Sequence, residues 1–238
     1  MAFLIEWDKA GEKLFETGVD RCVLYVLKDT ISDPTDPYGP GVPWNGVTNI
    51  SQSASGGEPT PLWADNSKYL NLISTEEAAL SIEAYTYPDE FEACDGSREI
   101  GTASGGASTG VSIGQQPRKQ FAITYRTLIG NDQKSTDYGY KLHLVYGCYA
   151  SPSDRSYATV NDSPEAISFS WSISTTPVEV SGFKPTAVLT IDSTKIASAK
   201  LTAIENALYG TAASGQNGTA VDAKMLLPAG IVTILNGQ

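Results

Sequence analysis

The chain has 238 residues, 41% of them apolar, so it is long enough to bury a substantial core without disulfides or metals to replace one. Sixteen Lys and Arg stand against 27 Asp and Glu, a net charge of -11, the wrong sign for binding a polyphosphate through counterion release. No apolar run approaches the roughly 18 residues of a membrane-spanning helix, and Met1 to Glu6 has no cationic region ahead of an apolar stretch, so a protein made in the cytoplasm with no membrane partner is expected.

Taken in chain order, an N-terminal arm (1–12) leads to weak strand patterns at Leu14 to Glu16 and Val23 to Leu27. A proline-rich segment (28–46) follows, reading Asp33-Pro34-Thr35-Asp36-Pro37-Tyr38-Gly39-Pro40-Gly41-Val42-Pro43-Trp44, which excludes helix and central strand. Further weak strands fall at Val47 to Gln52 and Lys68 to Ile73. A strong period of two then appears at Leu80, Ile82 and Ala84, alternating with Ser81, Glu83 and Tyr85. Residues 76–99 carry eight acids and only Arg98, which concentrates the negative charge in the first half of the chain. A Gly/Ser-rich loop (101–114) separates them from two more alternating strands, Phe121 to Arg126 and Lys141 to Tyr146.

The plainest alternation is Ile167-Ser168-Phe169-Ser170-Trp171-Ser172-Ile173-Ser174, with large apolar residues expected on a core face and serines on a thin polar one. After a weak strand at Ala187 to Ile191, Ile196, Ala199, Ala203, Ile204, Ala207 and Leu208 recur at helical spacing, predicting a helix over about 194–209 capped by Asp192 or Ser193 and ended by Gly210. Within a C-terminal extension (211–238), Ile231 to Leu235 reads as a last weak strand. Half-buried strands separated by turns imply a mainly β fold, an antiparallel β-sandwich or rolled sheet with one flanking helix, in a single domain over 1–238.

The chemical signals are weak. Gly106-Ala107-Ser108-Thr109-Gly110 spells a nucleophile elbow, but its flanks are a loop and His143, the single histidine, sits in a strand pattern, so no catalytic residues are assigned. The acidic run Asp89-Glu90-Phe91-Glu92 with Asp95 lacks the glycine-punctuated spacing of a calcium loop; no metal or cofactor is assigned, and a calcium-assisted glycan-binding sandwich stands only as an alternative. Cys22, Cys94 and Cys148 have no CxxC spacing and are expected to be buried free thiols. Three asparagines, Asn49, Asn161 and Asn217, head glycosylation triplets that mean nothing without a secretory signal. Trp171 is expected in the core. Trp7, Trp44 and Trp63 lie in the arm and the proline-rich region, where a lone chain would have difficulty hiding them, and read with Pro37 and Tyr38 as interface anchors.

Several stretches carry a resemblance. They are Ile5-Glu6-Trp7-Asp8-Lys9-Ala10-Gly11-Glu12-Lys13, Pro40-Gly41-Val42-Pro43-Trp44-Asn45-Gly46, Ala64-Asp65-Asn66 with Lys68-Tyr69-Leu70, and Ile82-Glu83-Ala84-Tyr85-Thr86-Tyr87-Pro88-Asp89-Glu90-Phe91. To these are added Gly130-Asn131-Asp132, Asp137 to Gly147, and Ser174-Thr175-Thr176-Pro177. Together they resemble the major tail proteins, or tail tube proteins, of long-tailed bacteriophages infecting Gram-positive hosts. The resemblance implies a β-sandwich with one flanking helix, hexameric rings stacked into a tube, a tape measure protein and other tail proteins as partners, and genomic DNA passing through the lumen without sequence-specific binding. It places the protein in the virion tail, assembled in the host cytoplasm; some relatives carry an immunoglobulin-like domain after the tube domain, and none is expected here. On this reading Glu83, Ser168, Ser170 and Ser172 would face the lumen, with Lys141 and Arg126 sharing and partly offsetting the Glu83 face. Trp7, Pro37, Tyr38, Trp44 and Trp63 would lie at subunit or ring interfaces.

Overall fold

Strands dominate the computed structural model, which describes residues 5, 7–74, 76–101, 108–159, 166–212 and 220–237. In chain order they are β1 (Leu14–Val26), β2 (Val42–Pro43), β3 (Val47–Ser55), β4 (Pro59–Ala64), β5 (Ser67–Ile73), β6 (Glu77–Ala84), β7 (Arg98–Glu99), β8 (Ser112–Ile113), β9 (Phe121–Asn131), β10 (Ser135–Ala150), β11 (Phe169–Ser174) and β12 (Val188–Asp192). Three helices accompany them, α1 (Glu92–Asp95), α2 (Ser198–Tyr209) and α3 (Pro228–Asn236). All strand pairs are antiparallel, and the main sheet runs β2-β1-β9-β10-β11-β6-β3, with β12 on the other side of β10.

This sheet is rolled into two layers by β10. Its first half pairs with β9 and β12 (Lys141 to Val145), and its end pairs with β11 through Tyr149 and Ala150. Between them lies Gly147, at φ +60° and next to a register break. A Cβ there would stand 2.3 Å from the Thr176 carbonyl oxygen, so only glycine fits both the backbone and the space.

One core lies between the layers: Leu24, Phe121, Ile123 and Val145 meet Leu80, Ile82, Trp171 and Ile173. A second lies behind β1, β9, β10 and β12, where Tyr25, Leu142, Leu144 and Tyr146 meet Ile204 and Leu208 of α2, Met225 and Ile231. Strands of the middle layer are therefore buried on both faces, which is why Phe121 to Tyr125 are buried without alternation. Two tyrosines fasten the outer layer through this core: the Tyr25 hydroxyl donates to Leu208 O at 2.7 Å and the Tyr146 hydroxyl to Leu226 O at 2.9 Å. All three cysteines are buried and free, and burial pushes the Cys22 and Cys94 thiols up to about 12.

Several expectations require correction. Ile231 to Leu235 belongs to α3, not to a strand: Pro228 opens the helix, Gly237 at φ +79° closes it, and Ile231 is buried against α2's side of the core. Helix α2 starts at Ser198 with Ala197 as an N-cap that makes no side-chain hydrogen bond, because Asp192 spends its Oδ1 on the turn at Thr194. Strand β11 begins at Phe169, leaving Ile167 exposed.

Arg126 and Lys141 do not share a face with Glu83. Both are in the other layer: Arg126 donates from Nε and Nη2 to the two Asp20 carboxylate oxygens at 2.8 and 2.6 Å, and Lys141 pairs with Glu16. Hydrogen bonding from Arg126 holds the Asp20 carboxyl below its ordinary 3.8, against the smaller opposing effect of burial. A depressed carboxyl contributes stability above pH 3.8 and loses it as pH falls through its folded value. With Asp20 at 42% exposure the solvent-screened worth is small. Asp20→Asn is expected to lower stability by about 1 kcal/mol at neutral pH in urea denaturation, and the gap from the parent should close as the pH is taken below the ordinary carboxylate value.

Candidate functional site

Strands β4 and β5 form a separate two-stranded sheet that continues β3 and β6 away from the body. Every residue in both is exposed. The register places Thr60, Leu62, Leu70 and Leu72 on one face, and Pro59, Pro61 and Ile73 on the other. Trp63 and Ile73 are 70% and 71% exposed. A hairpin lying on its own subunit needs one apolar face; this one presents apolar groups on both, and its own subunit covers neither. Pro59 and Pro61, two apart, lack their N–H groups on the same side of β4 and so blunt that edge against indiscriminate strand addition. The turn is Asp65-Asn66, both left-handed at φ +50° and +59°, as a tight hairpin requires.

The proline-rich segment behaves differently from expectation. It folds back on its own subunit, with Lys28 N donating to Pro37 O, Gly39 N to Val26 O, Gly41 N to Ala223 O and Trp44 N to Cys22 O. Trp44 is 2% exposed; its ring lies 4.5 Å from Phe91 and 5.5 Å from Trp171, and its Nε1 donates to Thr86 O at 2.9 Å. Tyr38 is buried as well, its hydroxyl accepting from Gly147 N. The expectation that Trp44 and Tyr38 anchor a neighbour is thus corrected: both complete the chain's own cores. Pro37 is half-buried beside them. Trp7 is exposed on the arm, which is fastened to the β9–β10 turn at Gly11, where Asp132 accepts from Gly11 N and Asn131 donates to Gly11 O.

The serines expected on a polar face are there. On the side of β11-β6-β3 turned away from the core, the register builds three cross-strand rows: Ser170, Glu83, Asn49; Ser172, Ser81, Ser51; and Ser174, Ala79, Ser53. Ser168 is exposed just before β11. Glu83 is the one ionised group in these three rows; the next row on the same face brings in exposed Glu77 opposite Ser55, and Tyr149 of β10 stands opposite Ser174. Strand β3 ends the sheet on that side, pairing only with β6.

The catalytic and metal signals do not assemble. Gly106 and Ala107 lie outside the described residues; Ser108 donates to Glu99, whose carboxyl is held down at about 2 by hydroxyls of Ser108 and Thr109 and by Gly110 N. His143 stacks on Tyr125 and has its two ring nitrogens against Thr127 and Thr190. Asp95 is committed to Arg155 and Ser97 N, and among the described residues no three metal-ligating side chains converge. Asn161 and Asn217 lie outside the described residues. No helix among the described residues is long and apolar enough to cross a membrane.

No protein-family model and no curated protein matches this sequence. The hairpin's detachment from the core has a measurable consequence. Trp63→Ala should leave the stability of the isolated chain within about 0.5 kcal/mol of the parent, whereas Trp44→Ala should cost about 3–5 kcal/mol, both read from chemical denaturation.

Proposed function

We propose that the protein is the tube-forming major tail protein of a long-tailed bacteriophage, a structural subunit whose copies close into hexameric rings and stack into a tube that conducts genomic DNA. The observation that carries this reading is the β4–β5 hairpin, apolar on both faces and unsupported by its own subunit. Such a surface gains from being covered, and a second copy of the chain is the occupant that a self-assembling tube supplies at every position. The arm carrying Trp7 and the free edges of β3 and β12 offer further contacts of the kind that join sheets between subunits.

The serine grid supports an assignment of the lumen. A bore that passes DNA without holding it needs a hydrated, smooth wall with no cations and no apolar steps. The serine rows on the outer face of β11-β6-β3 have that character up to the border at Tyr149, with Glu83 and Glu77 adding negative charge repeated around each ring. At about 0.15 M salt the screening length is roughly 8 Å, so the charge acts only when the duplex nears the wall, and there it repels.

The purified chain is expected to sediment as rings or rods at high concentration without added ligand or calcium, and negative-stain electron microscopy should show hollow particles. Replacing residues 59–73 by a two-residue Asn-Gly turn should leave a folded monomer. A parent protein that stays monomeric at every concentration would contradict the reading and favour a monomeric binding module.

In tails built with Glu83→Lys, assembly should proceed and DNA ejection should slow, most at low salt, where phosphate contacts are strongest. Ejection kinetics unchanged at every salt concentration would remove Glu83 from the lumen.

A further inference from the structure

The hairpin tip and a cleft lined by Arg118 and Arg155 stand at opposite ends of the same strand pair. The chain climbs β3 and β4 to Asp65-Asn66, descends β5 and β6 to Ala84, and only then builds Tyr87, α1 and Ser97. At that far end a cleft of about 380 Å³ opens between the α1 segment, the stretch ending at Arg118 and the stretch from Pro152 to Arg155. The placement of Arg155, whose guanidinium lies over the rings of Tyr87 and Phe169, puts the cleft at the end where β6 finishes and β11 begins.

Two cations line this cleft. Arg155 is paired with Asp95, whose carboxylate is nearly buried. Arg118 has no carboxylate partner among the described residues. Its Nε donates to Asp95 O at 3.0 Å, and its guanidinium lies flat on Gly96, where a Cβ would come within 3.0 Å of Cζ. The fork is therefore held in place by backbone on one side, with its terminal nitrogens left for an acceptor. That is the geometry in which arginine takes a carboxylate end-on at little ordering cost. Glu92 also lines the cleft, occupied by the Ser112 hydroxyl.

At the other end Asp65 is exposed at the point of a hairpin whose strand Ser67–Ile73 reaches roughly 20 Å at the usual rise per residue. Trp63, paired with Lys68 next to the turn, supplies an exposed apolar flank. We propose that the Asp65 tip of one copy docks into the Arg118 cleft of a second copy lying ahead of it on the tube axis. Donor and acceptor are different surfaces at opposite ends of one subunit, so the contact is heterologous and repeats without limit along a line. It also pairs an acid with a spare cation between subunits that each carry a net charge of -11 and otherwise repel. The inference rests on the tube reading and adds to it the acceptor site of the hairpin.

The test is a charge swap in the full-length chain, with rod length and number read by electron microscopy and sedimentation. Asp65→Lys and Arg118→Asp are each expected to reduce rods by about tenfold or more in favour of single rings. The double variant carrying both changes should recover them. Asp65→Asn, which keeps the residue type suited to a left-handed turn and removes only the charge, should reduce rods without altering the melting temperature. Arg118→Lys should retain part of the assembly and serves as the variant least disturbing to the Asp95 contact. Rods unaffected by either reversal, or a double variant no better than the singles, would overturn the docking while leaving the tube reading intact. A parent protein that forms neither rings nor rods would overturn both.

Discussion

Strand β10 belongs to both layers, and the rest of the molecule is arranged around its bend at Gly147. A flat strand of sixteen residues would extend one sheet and leave β11, β6 and β3 without a place to pair. With the bend, the second layer folds over Phe121, Ile123 and Val145, and the middle layer becomes buried on both sides. The left-handed backbone of Gly147 and the contact with Thr176 leave no room for a side chain, so the roll depends on one residue. The hydroxyl of Tyr38 closes on Gly147 N, which ties the proline-rich segment to the same point.

That arrangement decides which surfaces remain for function. The inner face of β11-β6-β3 is sealed against the middle layer, and the middle layer's other face is sealed by α2, α3 and Met225. The surfaces left include the serine grid, the open edges of β3 and β12, the Arg118 cleft, the arm and the hairpin. The first is polar and smooth and the last is apolar on both faces. In the proposed tube, one would serve as wall and the other as joint.

Much of the framework was legible in the sequence because period-two alternation needs only local side-chain order. It located β6, β9, β10 and β11, put Trp171 and Ile173 inward, and put Glu83, Ser170 and Ser172 on a common outer face. The spacing of Ile204 and Leu208 did the same for α2. The misreadings have physical causes. Ile231-Val232-Thr233-Ile234-Leu235 is rich in β-branched residues, and the capping by Pro228 and Gly237 overrides that preference. Trp44 and Tyr38 sit among prolines that rule out regular structure yet carry no information about where the chain returns; the return onto β1 is a tertiary fact. Prolines at 59 and 61 hid β4, although a two-stranded ribbon tolerates them on its free side. The Arg118 cleft draws on three segments remote in sequence, and no local pattern could have joined them.

The most direct measurement of the central claim is an electron cryomicroscopy reconstruction of rods assembled from the purified chain, at a resolution that separates strands. The account predicts a hollow rod with the outer face of β11-β6-β3 lining the bore, Glu83 repeated around it, and the β4–β5 hairpin of each subunit enclosed between copies. A rod with that face on its outside, or with the hairpin free in solvent, would contradict it.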